Sequence, residues 1–356
     1  MAKKAPKTKT VAAKALIRFN PKQVTKRLLA VLTERARDVL IKRYGLSDKA
    51  KRMTLEAIGE QYGITRERVR QIENYALATI RKSDAYTKEQ VAFNELKEEM
   101  FFCGGIVSEE DFLNHLSADA GTRNHFHALL VIGEAFEKRK EDEHFVHRWH
   151  VDGGLAEQIE EALHKLYASL SDDELISESD IIASFLEEVK GVADHYKTEE
   201  MVKRWLSISK SVGSNPLGEW GSTASANITP KGIRDYAYLA IRQHGSPLHF
   251  TEVAKRISEL FDRKAHIATA HNELIKDSRF VLVGRGLYAL SEWGYAEGVV
   301  RDVIKKILKQ HGTLTKDEII DKVLKERYVK PNTIVVNLQD TKHFDKNAEG
   351  KYSLAK

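Results

Sequence analysis

A mainly α chain with small β-hairpins is predicted, a helix-turn-helix followed by a series of winged-helix-like domains. Three observations predict it. Apolar residues recur at threes and fours between short glycine turns, one pattern returns at intervals of 70, 72 and 66 residues, and the charge changes sign twice along the chain. The 356 residues carry a formal net charge of +5 that hides three blocks. Residues 1–86 hold 21 Lys/Arg against 8 Asp/Glu, residues 87–228 hold 13 against 28, and residues 229–356 hold 23 against 16. A basic end attracts polyanions, and an acidic middle is repelled by them. One cysteine cannot make an intramolecular disulfide or a cysteine-based zinc cluster. The longest apolar runs are broken by charge, as Lys14 and Arg18 break 11–19, which argues against a signal core or a membrane span. A soluble, cytoplasmic protein is expected.

The first fourteen residues carry five lysines and no acid, so residues 1–20 read as a basic disordered arm or simply a solvated terminus. From Pro21 a helical period runs through Leu28, Leu32, Ala36, Val39, Leu40 and Tyr44 to a stop at Gly45. A second helix, 55–62, follows Thr54 as N-cap, and a third, 66–81, follows Gly63, Ile64 and Thr65. Helix, glycine-containing turn, helix is a helix-turn-helix layout. On the last helix Val69, Ile72, Ala76 and Ile80 share one face, leaving Arg66, Glu67, Arg70, Gln71 and Asn74 on the other. Those side chains can pair with base edges in a major groove. They also suit a solvated helix in which Glu67 pairs with Arg70 or Gln71, and charge alone does not choose.

The run from Thr54 to Glu73, TLEAIGEQYGITRERVRQIE, continuing to Ala76-Leu77 and Ile80-Arg81, resembles the fourth conserved region of bacterial primary-type sigma factors. The resemblance covers about residues 20–85. It implies double-stranded promoter-like DNA as one partner and the beta flap of the RNA polymerase core as another. Residue by residue, it places Arg66, Glu67 and Gln71 at bases and Thr65, Arg68 and Arg70 at phosphates. No segment resembles the aromatic-rich region with which sigma factors melt promoters, so initiation by this chain alone is not expected.

Four later stretches align, beginning at Ile106, Ile176, Leu248 and Leu314, each between helical runs and followed by a hairpin. The expected domains are 21–86, 87–152, 153–228 (with a Gly/Ser-rich wing and linker at 211–227), 229–295 and 296–356. The unit 230–293, with Ile241, His249-Phe250-Thr251-Glu252, Ile257, Phe280, Gly286 and Tyr288-Ala289-Leu290, resembles the HARE-type winged helix-turn-helix family that includes the polymerase delta subunit. Winged helices bind DNA, RNA or protein. In this unit Lys255, Arg256, Arg263, Lys264 and Arg285 are candidate secondary nucleic-acid contacts, with His266, Thr269, His271 and Asn272 along its last helix. For the two acidic units protein contact is the expectation, because each phosphate contact needs a cation.

Other chemistry finds little support. His144, His147 and His150 would alternate faces on a strand, with His125 and His127 nearby, so no metal or other cofactor is expected. Cys103, beside Gly104-Gly105, reads as a packed residue. Glu109, Glu110 and Asp111 suit a helix start. Gly284-Arg285-Gly286 lacks the third glycine of a dinucleotide loop, and no phosphate-binding Gly-Lys-Ser/Thr occurs. No enzyme, small-molecule substrate or membrane partner is expected. Together these features and resemblances imply a transcription-associated DNA-binding protein that recruits polymerase or occupies a sigma factor's place. The alternatives are a polymerase-binding scaffold and an accessory of a DNA-modification system.

Overall fold

Capping residues set where the N-terminal helices begin in the computed structural model, which describes residues 17–47, 51–192, 198–295 and 299–355. Helix α1 (Pro21–Leu29) starts at Asn20, whose side chain accepts from the Lys22 and Gln23 amides at 3.0 and 3.3 Å. The single periodic run expected to Tyr44 is two helices, because the chain turns before α2 (Glu34–Tyr44). Arg37 explains the break: its guanidinium donates to the carbonyls of Leu29, Ala30 and Leu32 at 3.0–3.2 Å, taking the place of helical amides. Helices α3 (Leu55–Tyr62) and α4 (Arg66–Arg81) begin after the expected caps Thr54 and Thr65, and α5 (Asp84–Lys88) follows. Residues 1–16 of the expected arm lie outside the described residues. Its last part is not free: Ile17 and Phe19 pack on the core, and Phe19 meets Phe126 edge-on at 6.0 Å.

One connection is then made four times. The first repeat is α6 (Gln90–Phe102), β1 (Ile106–Ser108), α7 (Glu109–Leu116), α8 (Ala120–Ile132), β2 (Glu137–Arg139) and β3 (Arg148–His150). The second is α9 (Gly153–Ser169), α10 (Glu178–Glu188), α11 (Glu199–Leu206), β4 (Val212–Ser214) and β5 (Trp220–Ser222). The third is α12 (Ile233–His244), β6 (Leu248–His249), α13 (Phe250–Phe261), α14 (Ile267–Lys276), β7 (Phe280–Leu282) and β8 (Leu287–Leu290). The fourth is α15 (Val300–His311), α16 (Lys316–Glu326), α17 (Pro331–Leu338), β9 (Phe344–Lys346) and β10 (Tyr352–Leu354). The residue that opens each sequence repeat pairs antiparallel with the last strand: Ile106 with His150, Ile176 with Trp220, Leu248 with Tyr288, Leu314 with Tyr352. A capping side chain follows at once, Ser108, Ser177, His249 or Thr315, so the shared pattern encodes one strand residue and one helix start.

The chain divides into two compact units, 1–213 with 220–223, and 214–219 with 224–356. In the first, Val24, Leu28, Leu40, Ala76 and Ile80 of the helix-turn-helix half pack in one core with Phe93, Leu96, Phe126, Leu129 and Trp149 of the first repeat. A second core joins Ile106 and Phe145 to Leu163, Phe185 and Trp205. The Trp205 indole N–H donates to the Gly104 carbonyl at 3.0 Å, and a Cβ on Gly104 would sit 2.8 Å from that nitrogen. In the second unit the segment expected as linker is packed: Asn215, Ser225 and Asn227 are buried, and the Asn215 amide donates to the Asn227 carbonyl at 3.1 Å. Arg279 bonds both Asp235 and Asp277, and the Tyr328 amide donates to the Val283 carbonyl at 3.0 Å. Among the described residues, no helix is long and apolar enough to cross a membrane.

Candidate nucleic-acid interface

The turn between α3 and α4 is tight because two glycines allow it. Gly63 ends α3 at φ +62, a left-handed conformation that favours glycine, and a Cβ on Gly59 would lie 2.6 Å from the Ile64 carbonyl oxygen. Val39, Ile58 and Val69 are fully buried between α2, α3 and α4. Further along α4, Ala76 and Ile80 enter the larger core and Ile72 is half-buried. That packing fixes the helix rotation. Arg66, Glu67, Arg68, Arg70, Gln71 and Asn74 are all exposed, five of them in the first two turns. Glu73 points the other way, accepting from the Tyr44 hydroxyl at 2.7 Å with Arg43 at 3.5 Å.

The exposed residues hold one another. Arg66 pairs with Glu56 at 2.9 Å, Arg70 grips Glu67 with two bonds of 2.8 and 2.7 Å, and Arg68 donates to Gln71 at 2.9 Å. The bond from Arg70 holds the Glu67 carboxyl below its ordinary range and raises the Arg70 guanidinium. Exposed pairs of this kind contribute little to stability, so they can exchange partners for bases or phosphates at small cost. Thr65 keeps its capping bond to the Arg68 amide at 3.2 Å. The face is thus a salt-bridged solvated helix, formed by the same polar side chains that the groove-reading expectation names.

The third helix of the first repeat is covered instead. On α8 the Asn124 amide donates to the Gly45 carbonyl at 3.0 Å and accepts from Arg52 at 2.8 Å, and His125 meets the Thr25 hydroxyl at 2.6 Å. From α4, Arg81 donates to the carbonyls of Val131 and Ile132 at 2.8 and 2.9 Å. Glu109 bonds Lys138, accepts from the Trp149 indole at 2.7 Å and lies 3.5 Å from His127, so it is a half-buried hub as well as a helix-start charge. Burial alone would raise that carboxyl, but His127 and Lys138 outweigh it and hold it well below its ordinary range.

The secondary set divides. Lys255, Lys264 and Arg285 are exposed and Arg256 is half-exposed, whereas Arg263 lies over the Tyr236 ring at 4.8 Å and donates to the Lys231 carbonyl at 3.2 Å. His266, Thr269 and Asn272 face solvent, but His271 stacks on Phe250 at 4.3 Å. Beside them Ile267 and Ile275 are 51% and 61% exposed. The histidine trio does not converge: His144 packs on His164 at 4.7 Å, His147 faces Glu141 at 3.8 Å, and His150 is buried in β3. Cys103 is buried, and burial pushes its thiol up to about 12. The donors that do come together among the described residues are Glu99, Cys103 and His115. Only the four-residue spacing of Glu99 and Cys103 on one helix was visible in the sequence.

Fold and exposed face define a helix-turn-helix of the DNA-binding class. More narrowly, residues 28–82 match the family Sigma-70, region 4, and this part of the chain is such a domain. The chain is 48% identical over 68 residues to the RNA polymerase sigma factor RpoS of Coxiella burnetii, covering 18% of this chain and 19% of that one. It is 52% identical over 54 residues to the sigma factor SigA1 of Synechococcus elongatus and to SigA of a Bacillus species, covering 15% of this chain and 13% and 14% of theirs. The match thus spans about a fifth or less of the curated relatives' length.

Proposed function

We propose that the protein is a cytoplasmic transcription-associated factor that holds promoter-like duplex DNA through α4 and contacts RNA polymerase. The observation that carries this reading is the exposed first half of α4, where Arg66, Glu67 and Gln71 stand as base-reading groups and Thr65, Arg68 and Arg70 flank them as phosphate contacts. Polymerase contact, including the beta flap, is supported by the identity to sigma factors. The likeness of 230–293 to HARE-type winged helices adds a second module. Exposed Ile267 and Ile275 favour a protein partner for its α14, and the basic residues Lys255, Arg256, Lys264 and Arg285 leave duplex contact as the rival.

The test is duplex binding by the full chain, followed by fluorescence anisotropy across a salt series. Arg66→Ala or Gln71→Ala should cost about 1–3 kcal/mol on the preferred sequence and relax discrimination at one base position. Arg68→Ala or Arg70→Ala should weaken all duplexes alike and flatten the salt slope by about one unit each. A full chain without salt-dependent duplex binding would leave the polymerase scaffold as the surviving reading.

A further inference from the structure

Cys103, the C-cap residue of α6, lies one turn beyond Glu99, so both face the same side of that helix. His115, in the last turn of α7, reaches the same point: its Nε2 is 2.6 Å from the Glu99 carboxylate. The carboxylate oxygen, the thiol sulfur and the ring nitrogen all lie within 4.8 Å of one another. Three atoms so spaced are at most about 2.8 Å from a common centre, against roughly 2.0–2.3 Å for zinc–ligand bonds, so sub-ångström side-chain shifts would bring all three into range. The cluster is interior rather than a surface patch of acids. Glu99 is 2% exposed, Cys103 is fully buried, and the His115 side chain is 7% exposed.

A cavity of about 370 Å³ lies against His115, lined also by Asp111, Phe112, Glu200, Arg204 and Ser207. It offers a way in for an ion and room for a water as fourth ligand. Arg204, paired with Glu200 at 2.8 Å, also hydrogen-bonds the Cys103 thiol, a contact that the ion replaces. We propose that Glu99, Cys103 and His115 bind a single divalent transition ion of the zinc class. One sulfur, one nitrogen and one oxygen donor suit a borderline-soft, four-coordinate ion and not calcium or magnesium, which take oxygen shells. To ligate, Cys103 releases its thiol proton to solvent, the ring proton of His115 sits on Nδ1 instead of Nε2, and the Glu99–His115 hydrogen bond is exchanged for two metal bonds. The ion ties α6 to α7 inside the repeat that packs behind the helix-turn-helix, a structural role.

Because the chain has one cysteine, a thiolate-to-cobalt charge-transfer band can report only on Cys103. The full chain, stripped by chelator and dialysed, is titrated with cobalt(II). The expected result is a band that saturates at one ion per chain, accompanied by visible ligand-field absorption of tetrahedral strength, and that zinc displaces. Cys103→Ser should remove the band. His115→Ala and Glu99→Gln, with helical circular dichroism retained, should weaken the titration at least about tenfold. Should the serine variant not fold, the wild-type band and slower alkylation of Cys103 in the presence of zinc carry the same information. Folded wild-type protein with no charge-transfer band at saturating cobalt would overturn the proposal. So would a band whose midpoint is unchanged in His115→Ala and Glu99→Gln.

Discussion

Helices α4 and α8 occupy comparable places, each following a capped turn and each bearing polar side chains in its first half, yet they have opposite fates. On α4, Arg66, Glu67, Arg68, Arg70 and Gln71 bond, among the described residues, to partners on α3 or α4 and stay exposed. On α8, Asn124 and His125 are consumed by Gly45, Arg52 and Thr25 of the helix-turn-helix half, and Phe126 and Leu129 enter the shared core. The last helix of a helix-turn-helix or a winged helix can enter a groove only if nothing packs on its polar face. The difference also gives the first acidic repeat a role: it backs the helix-turn-helix from the side opposite the open face of α4.

The strongest way to break that comparison is to remove a side chain from the cover. Phe126 is 3% exposed, so Phe126→Ala should destabilise the region by about 3–5 kcal/mol. Because α1, α4 and α8 share a core, hydrogen exchange should show α4 losing protection together with α8. Exchange that rises in α8 while α4 keeps its protection would show two independently stable modules.

A pH series sharpens the same contrast with a smaller effect. Burial lowers His127, which faces Glu109, Arg52, Lys138, Tyr44 and Trp149, and Glu109 is itself held low. Both groups bind protons more weakly folded than unfolded, so the stability they contribute is present above their unfolded pKa values and lost as pH falls. The urea midpoint should drop first below about pH 6.5 and again below about pH 4.3. His127→Gln should shrink the first stage, to which His125 and His150, also lowered by burial, contribute as well, whereas Glu67→Gln, whose pairing with Arg70 is fully exposed, should change the second stage little.

Legibility followed the range of the interactions involved. The limits of α3 and α4, their caps and the exposed face of α4 were readable because helical period and capping act within a few residues. So were the four repeats, since one strand residue and one cap recur in each. The break at 30–33 was hidden because Arg37 reaches back to carbonyls that the period alone leaves helical. Equally hidden were the cover on α8, which depends on Arg52 meeting Asn124 across 72 positions and Arg81 meeting the Ile132 carbonyl across 51, and the burial of Asn215, Ser225 and Asn227 in a segment whose polar composition resembles a linker.

The smallest expected effect concerns α14, which like α4 has an uncovered face but carries Ile267 and Ile275 there. Ile275 is 61% exposed, so Ile275→Ser should change stability by less than about 0.5 kcal/mol. Its consequence should lie in association. If the face docks a protein, Ile275→Ser weakens capture of core polymerase while the salt slope of duplex binding stays as it was, since no phosphate contact is lost. If α14 lies in a groove as α4 is proposed to do, Lys255→Ala and Arg285→Ala flatten that slope and Ile275→Ser leaves polymerase capture unchanged. Measuring both quantities on the same variants decides whether the two open helices serve one kind of partner or two, because an apolar contact and an ionic one respond to salt in opposite ways.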